Sequence, residues 1–280
     1  MKTVILSDST AYIPQTLRET YDIHTIPLSV VFGQTSYKEE VDLSTEAFYE
    51  KVKVSEALPT TSQPSVGDFV ETYESLAETY DSIIFIHISS ELSGTGQSAQ
   101  TAKTLVEGVD IHIFDSKYSA IPQGFFAIEA AKLAQENKSP EQILAHLEQL
   151  REKVRAYFMV DDLSHLQRGG RISNAQAVLG SLLKVKPILH IDEGLIVPYE
   201  KIRTRKKALN KIVRMLEDDL EKDAVEQVCF IHGNDEASAI DLEKQFKEKF
   251  PTIDTFISYF GPVVGTHLGE GSIGIAWLLK

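Results

Sequence analysis

Asp81 to Leu105, DSIIFIHISSELSGTGQSAQTAKTL, constrains the fold of this chain more than any other stretch. It opens with an isoleucine-rich run of strand length, Ile83 to Ile88. A loop of hydroxyl residues and glycines follows, through Ser89, Ser90, Ser93, Gly94, Thr95 and Gly96, and then Ala99, Ala102, Leu105 and Val106 recur at helical spacing. A strand feeding a helix through such a loop is half of a βαβ unit, and open α/β sheets take their ligands at the carboxyl ends of strands. Gly94 and Gly96 allow backbone N–H groups to approach a ligand closely, and a helix N-terminus favours an anion there. The same residues could equally do no more than cap the helix.

The rest of the chain repeats the alternation. Lys2 to Leu6 reads as a first strand with Ser7-Asp8-Ser9-Thr10 at its carboxyl end, and Pro14 suits the first turn of a short helix. Ile23 to Phe32 is a second apolar run ended by Gly33, and Ser44 is a plausible N-cap for a helix over Thr45 to Val54. A dense hydroxyl loop, Pro59 to Ser65, precedes Val66, Phe69, Val70, Tyr73, Leu76 and Tyr80, the apolar face of a helix. Capping accounts for one of that loop's hydroxyls, Ser65, and leaves Thr61 and Ser62 without a local role. A strand over Asp110 to Phe114 and helices over 122–135 and 139–154 complete this half.

Alternating strands and helices predict a parallel sheet covered on both faces, a three-layer α/β/α domain over residues 1–155. Residues 156–280 read as a second, two-layer α/β domain. There Asp192-Glu193-Gly194 between two apolar runs signals a hairpin, and so a mixed sheet. Asn174 to Leu183 reads as a helix of small residues, and Gly169-Gly170 breaks a short helix before Arg171.

Three loops offer polar groups: Thr61-Ser62, Ser93-Gly94-Thr95 and Thr266-His267. Two hydroxyls and an imidazole suit an acyl-transfer site with Ser93 as nucleophile and His267 as base. They suit a carboxylate held by hydrogen bonds as well. The elbow G-x-S-x-G is missing around Ser93, which ranks binding above hydrolysis. His267 lies in a glycine-flanked loop, an unusual place for a core histidine. The eight histidines contain no H-x-x-x-H, and Cys229 is the only cysteine, so no metal site is expected. Neither a G-x-x-x-x-G-K-[ST] loop nor a dinucleotide fingerprint is present, so no ATP or NAD cofactor is expected. A formal net charge of −13 works against sequence-independent nucleic-acid binding. Lys201, Arg203, Arg205, Lys206 and Lys207 nevertheless form a basic run, either a solvated helix end or a docking patch. No run is long enough to span a bilayer and the N-terminus lacks a signal-peptide pattern, so a cytoplasmic protein without stable membrane insertion is expected.

DST near the N-terminus, TSQPS, SSELSGTGQSA, LQRGGRIS, KPIL, KIRTRKKA and the closing GPVVGTHLGEGSIGI together resemble the DegV family, the fatty acid-binding subunits of fatty acid kinase. The motifs run over essentially the whole length in the family's order. The resemblance implies a long-chain fatty acid held between two α/β domains, its carboxylate on Thr61, with Ser62 adjacent, and on the Ser93-Gly94-Thr95 loop and His267. It also implies a non-enzymatic subunit. A separate ATP-binding kinase subunit would convert the bound lipid to an acyl phosphate, and this subunit would carry it to an acyltransferase of phospholipid synthesis. Arg168 and Arg171 are the implied kinase contacts. Two positions depart from the family pattern: Gly96, where an aromatic is expected, and Glu270, where proline is more usual. Gly96 is expected to loosen its loop. A stand-alone hydrolase using Ser93 and His267 remains the alternative, with a small-metabolite binder as a third possibility.

Overall fold

In a computed structural model describing residues 2–172, 186–222 and 224–280, the apolar runs become strands of separate sheets. The chain divides into two units, Met1–Ser44 with Thr61–Glu152 and Thr45–Thr60 with Lys153–Lys280. The predicted helix over Asn174 to Leu183 lies outside the described residues.

In the first unit, β1 (Thr3–Asp8), α1 (Gln15–Tyr21) and β2 (Ile23–Ile26) come first, followed by β3 (Ser29–Phe32) and β4 (Thr35–Lys38). After α2 (Thr45–Val54), which groups with the second unit, come β5 (Thr60–Ser62), α3 (Val66–Ala77), β6 (Ser82–His87), α4 (Thr95–Lys103), β7 (Asp110–Asp115), α5 (Ile121–Gln135) and α6 (Pro140–Leu150). Strands β2, β1, β6 and β7 lie side by side in that order, all parallel. Every residue of β6 is buried, as a strand covered on both faces must be. On one face Val4, Leu6, Ile83 and Phe85 pack beneath Phe69 and Tyr73 of α3 and Ala99 and Ala102 of α4. Helix α5, buried from Ile121 to Ile128, packs against β1 and β6 with α1 and α6 beside it.

The run from Ile23 to Phe32 is two strands and not one. Pro27 and Leu28 separate β2 of the parallel sheet from β3, which lies between β4 and β5 in a small sheet of its own. Proline has no N–H for a ladder, so a run containing it breaks there. Gly33, with φ +63°, turns β3 into β4, and the hydroxyl loop expected over Pro59 to Ser65 begins with strand β5.

In the second unit, α2 is followed by β8 (Val154–Met159), α7 (Ser164–Gly169), β9 (Ile188–Asp192), β10 (Leu195–Glu200) and α8 (Arg205–Leu220). Then come β11 (Val225–His232), α9 (Glu236–Lys249), β12 (Asp254–Tyr259), α10 (Pro262–Leu268) and β13 (Ile273–Leu279). The sheet is mixed, in the order β10-β9-β8-β13-β11-β12, with only β11 and β12 parallel among the described pairs. The predicted hairpin joins β9 to β10, with positive φ at both Glu193 (46°) and Gly194 (86°). Positive φ at both central residues matches the twist of the flanking strands. Ala208, Ile212 and Leu216 of α8 and Ala239 and Phe246 of α9 share one core with Val228, Phe230, Ile275 and Trp277. A single cut near residue 155 would place α2 with the first half. In the structure its Tyr49 phenol donates to the Phe260 carbonyl (2.8 Å) inside the second unit.

Candidate functional site

Strand β6 ends at His87, and the chain turns through Ser89, whose carbonyl accepts from Leu92 N (3.0 Å) and Ser93 N (3.1 Å). Helix α4 then starts at Thr95 with Gly94 as its N-cap. Ser93 Oγ and Thr95 Oγ1 share a hydrogen bond of 2.8 Å, and Ser93 Oγ also accepts from Thr95 N (3.3 Å). Ser93 is half-buried and Thr95 fully buried. This is a hydroxyl pair at the N-terminus of a helix, where an anion is favoured.

The TSQPS loop reaches this turn through Gln63. A Cβ at Gly94 would fall 2.7 Å from Gln63 Nε2, so the Gln63 amide packs directly on the bare Cα. Gln63 Nε2 also donates to Ser98 Oγ (3.3 Å). Within the first unit the structure therefore brings Ser93, Gly94 and Thr95 together with the loop carrying Thr61 and Ser62. Thr61 is half-buried in the middle of β5, while Ser62 at its end is exposed and donates to the Gln63 carbonyl (3.2 Å). Ser65 is the cap expected of it: Ser65 Oγ accepts from Asp68 N (3.1 Å), and Ser65 N donates to Asp68 Oδ2 (3.0 Å).

Gly96 is not a slack point in the loop. It is buried in the first turn of α4, and a Cβ there would fall 2.5 Å from His87 Cε1. The His87 ring occupies the space that a larger residue would take.

Below the loops, the strand ends are tied by buried polar groups. Asp8 accepts from Thr10 N (3.0 Å) and Thr10 Oγ1 (2.5 Å) on one oxygen and from Ile88 N (2.7 Å) on the other. Burial raises the Asp8 pKa, against the pull of hydrogen bonds from Thr10, Ile88 and Gln123 and of the nearby His87. Gln123 of α5 donates to Ser7 Oγ (3.2 Å), and Ser116 Oγ donates to the His87 carbonyl (2.7 Å). The ends of β1, β6 and β7 thus share one network, on which the Ser93 turn stands.

In the second unit His267 lies on α10 and not in a loop. Pro262 starts this helix, and Gly269, with φ +79°, ends it. Proline in the first turn and glycine just past the last are the usual stops of a short helix, and they outweigh the β-branched residues between. Thr266 Oγ1 donates back to the Pro262 carbonyl (2.8 Å), so that hydroxyl is used inside the helix.

The His267 ring rests on the end of α7. A Cβ at Gly169 would fall 2.2 Å from His267 Nδ1. Burial first, then the positive charges of Arg171 and Arg168 and the ring of His165, pull the imidazole down to about 4. It is neutral at pH 7, with one nitrogen to donate and one to accept. Arg171 donates to the Gly169 carbonyl, Arg168 is exposed in the last turn of α7, and Gly170 (φ +67°) closes that helix.

A cavity of about 190 Å³ lies in the same unit, lined by Phe48, Tyr49, Leu58, His165, Thr266 and Glu270 among others. Glu270 accepts from Asn234 Nδ2 (2.6 Å) and pairs with Lys53 (3.2 Å). Arg205, the middle of the basic run, is taken up inside the unit: it donates to the Gly271 carbonyl (2.6 Å) and pairs with Asp235 and with Asp161 (3.4 Å). Gln63 and the glycine seats at Gly96 and Gly169 escaped sequence reading. Each acts through a contact between residues far apart in the chain, which no local pattern signals.

The family model described as "Uncharacterised protein, DegV family" matches residues 2–280. Protein DegV of Bacillus subtilis (strain 168) is 51% identical over 281 residues, covering 100% of both chains. The crystal structure of DegV, a fatty acid binding protein from Bacillus subtilis, superposes with a TM-score of 0.95 at 51% identity over 100% of each chain. A DegV family protein from Thermus thermophilus, solved for its fatty acid binding, superposes with a TM-score of 0.92 at 32% identity, again over 100% of each.

Proposed function

The chain belongs to the DegV family, and we propose that it is a cytoplasmic fatty acid-binding subunit that presents its lipid to a partner kinase. The observation that carries this reading is the full-length, 51% identical match to a protein solved as a fatty acid binder.

The residues assigned to the carboxylate are Thr61, Ser62, Ser93, Gly94, Thr95 and His267. Hydroxyl donors at the start of α4 favour a negative head group, with the partial charge of the helix end behind them. A neutral imidazole can donate to a carboxylate without leaving a buried charge when the ligand is gone. Most of the affinity comes from the acyl chain, at about 0.8 kcal/mol for each buried methylene. The hydroxyls and imidazole fix orientation.

The kinase subunit supplies ATP and docks at Arg168 and Arg171. It converts the carboxylate to an acyl phosphate, which this subunit passes to an acyltransferase of phospholipid synthesis. The proteins compared are described as fatty acid binders, and the hydrolase alternative gains no support from them. Ser93 Oγ is engaged with Thr95, which suits a receiving pair better than a nucleophile held by a base.

Organic extraction of the purified protein followed by mass spectrometry tests the reading. A long-chain fatty acid at close to one per chain is expected, and after addition of an ATP-binding kinase subunit and ATP the same chain should be recovered as acyl phosphate. A small hydroxylated metabolite in place of lipid, or release of acid from an activated acyl ester by the protein alone, would overturn it.

A further inference from the structure

The two adjacent glycines between Arg168 and Arg171 have different reasons to be glycine. Gly170 has φ +67° and nothing near the place of its missing Cβ, so it is there for the left-handed turn that ends α7. Gly169 is the last residue of the helix, and its backbone asks for nothing special. What excludes a side chain at 169 is the His267 ring: a Cβ would stand 2.2 Å from Nδ1 and 2.9 Å from Cε1. The carbonyl of the same residue accepts from the Arg171 guanidinium. One peptide therefore touches both groups, the ring through its bare Cα and the guanidinium through its oxygen.

We infer that Gly169 is a positioning residue that couples the docking arginine to the head-group histidine, seating the His267 imidazole while holding the Arg171 guanidinium beside it. The inference rests on the proposed roles of those two side chains and adds a link between them. The charged and titratable groups around the ring are Arg171, Arg168 and His165, on and just after α7. From α2, the Tyr49 phenol approaches α10 at Gly265. An acidic group of a kinase arriving at Arg171 would offset the guanidinium's charge and ease proton uptake by the imidazole. Docking would then reach the head group through Gly169 with no movement of either helix.

The experiment follows the His267 ring by NMR on histidine-labelled, delipidated protein, the signal assigned with His267→Gln. In the parent protein the ring should titrate with its midpoint near pH 4. In Gly169→Ala the displaced ring should titrate nearer the ordinary value of about 6.5. Arg171→Gln should move the titration in the same direction with the ring still seated. Gly170→Asn, a residue that tolerates left-handed backbone, should leave it where it is.

Superimposable titrations for Gly169→Ala and the parent would overturn the seating. If Gly169→Ala does not fold, an unmoved His267 in Arg171→Gln overturns the coupling. These readouts need no lipid and no kinase. A protein that yields no fatty acid on extraction yet shows the expected shifts would sink the head-group role and leave the seat standing.

Discussion

His87 and His267 both press an imidazole onto a glycine, Gly96 at the start of α4 and Gly169 at the end of α7. His87 is 2% exposed, lies 5.6 Å from the Phe85 ring in a stacked arrangement, and has Nδ1 at 2.6 Å from the Ile88 carbonyl. His267 is half-buried, and burial first, then the charges of Arg171 and Arg168, keep it neutral. On the proposed reading, the same contact is packing in one unit and head-group chemistry in the other. A glycine under an imidazole is not itself a functional signal. Partial exposure and the charge of the neighbours decide which kind it is.

If that distinction is right, the largest loss of stability should come from the buried seat. Gly96→Ala puts a methyl group 2.5 Å from His87 Cε1, in a place where the ring has no solvent to move into. Overpacking of this kind costs about 1–3 kcal/mol. Thermal unfolding should show a clear drop in Tm, and His87→Ala in the same chain should recover part of it. A Gly96→Ala protein as stable as the parent would mean that the ring is free to leave, and the two seats would not differ.

A smaller effect is expected at the head-group loop proposed for the first unit. Ser93→Ala removes a hydroxyl whose partner, Thr95, keeps its own. A hydrogen bond of this kind contributes about 0.5–1.5 kcal/mol. Lipid retention, dominated by the acyl chain, should fall by no more than roughly tenfold, measured by displacement of a fluorescent fatty acid. Acyl-phosphate formation should fall further, because orientation of the carboxylate is what the hydroxyl supplies. Equal losses in both assays would make Ser93 a packing residue like His87.

Much of this arrangement was legible in the residues, for stated reasons. The apolar run before Ser89 announced a buried strand, and the bounds expected of α2, Thr45 to Val54, are those observed. The Ser65 cap followed from a hydroxyl immediately ahead of the helical face that begins at Val66. Placement on a helix was missed for His267, since Pro-Val-Val-Gly-Thr-His-Leu has poor helix propensity and its limits lie in the flanking proline and glycine. The one run that became β2 and β3 failed for a related cause, a proline read through instead of read as a break. The three polar loops were picked out from the residues, and the family's motifs added the fatty acid whose carboxylate they are proposed to hold. Gln63 and the seats at Gly96 and Gly169 had to wait for coordinates, because tertiary contacts between distant residues leave no periodicity behind.

The effect that vanishes at neutral pH separates the two histidines. The folded-state pKa of His267 is lowered, mainly by burial and then by Arg171, Arg168 and His165, to about 4. In the unfolded chain it returns to about 6.5. Between those values the unfolded state binds the extra proton, so stability is full above about pH 6.5 and declines as pH falls toward 4. His267→Gln removes this contribution. The difference in unfolding free energy between His267→Gln and the parent should therefore shift in the variant's favour from pH 7 to pH 4.5, read from urea denaturation at each pH. Arg171→Gln should show part of the same flattening, since removing the guanidinium lets the folded imidazole protonate earlier. An unchanged difference across that range would mean that the ring is already solvated in the folded protein. His267 would then be an ordinary surface histidine, and the contrast with His87 would rest on exposure alone.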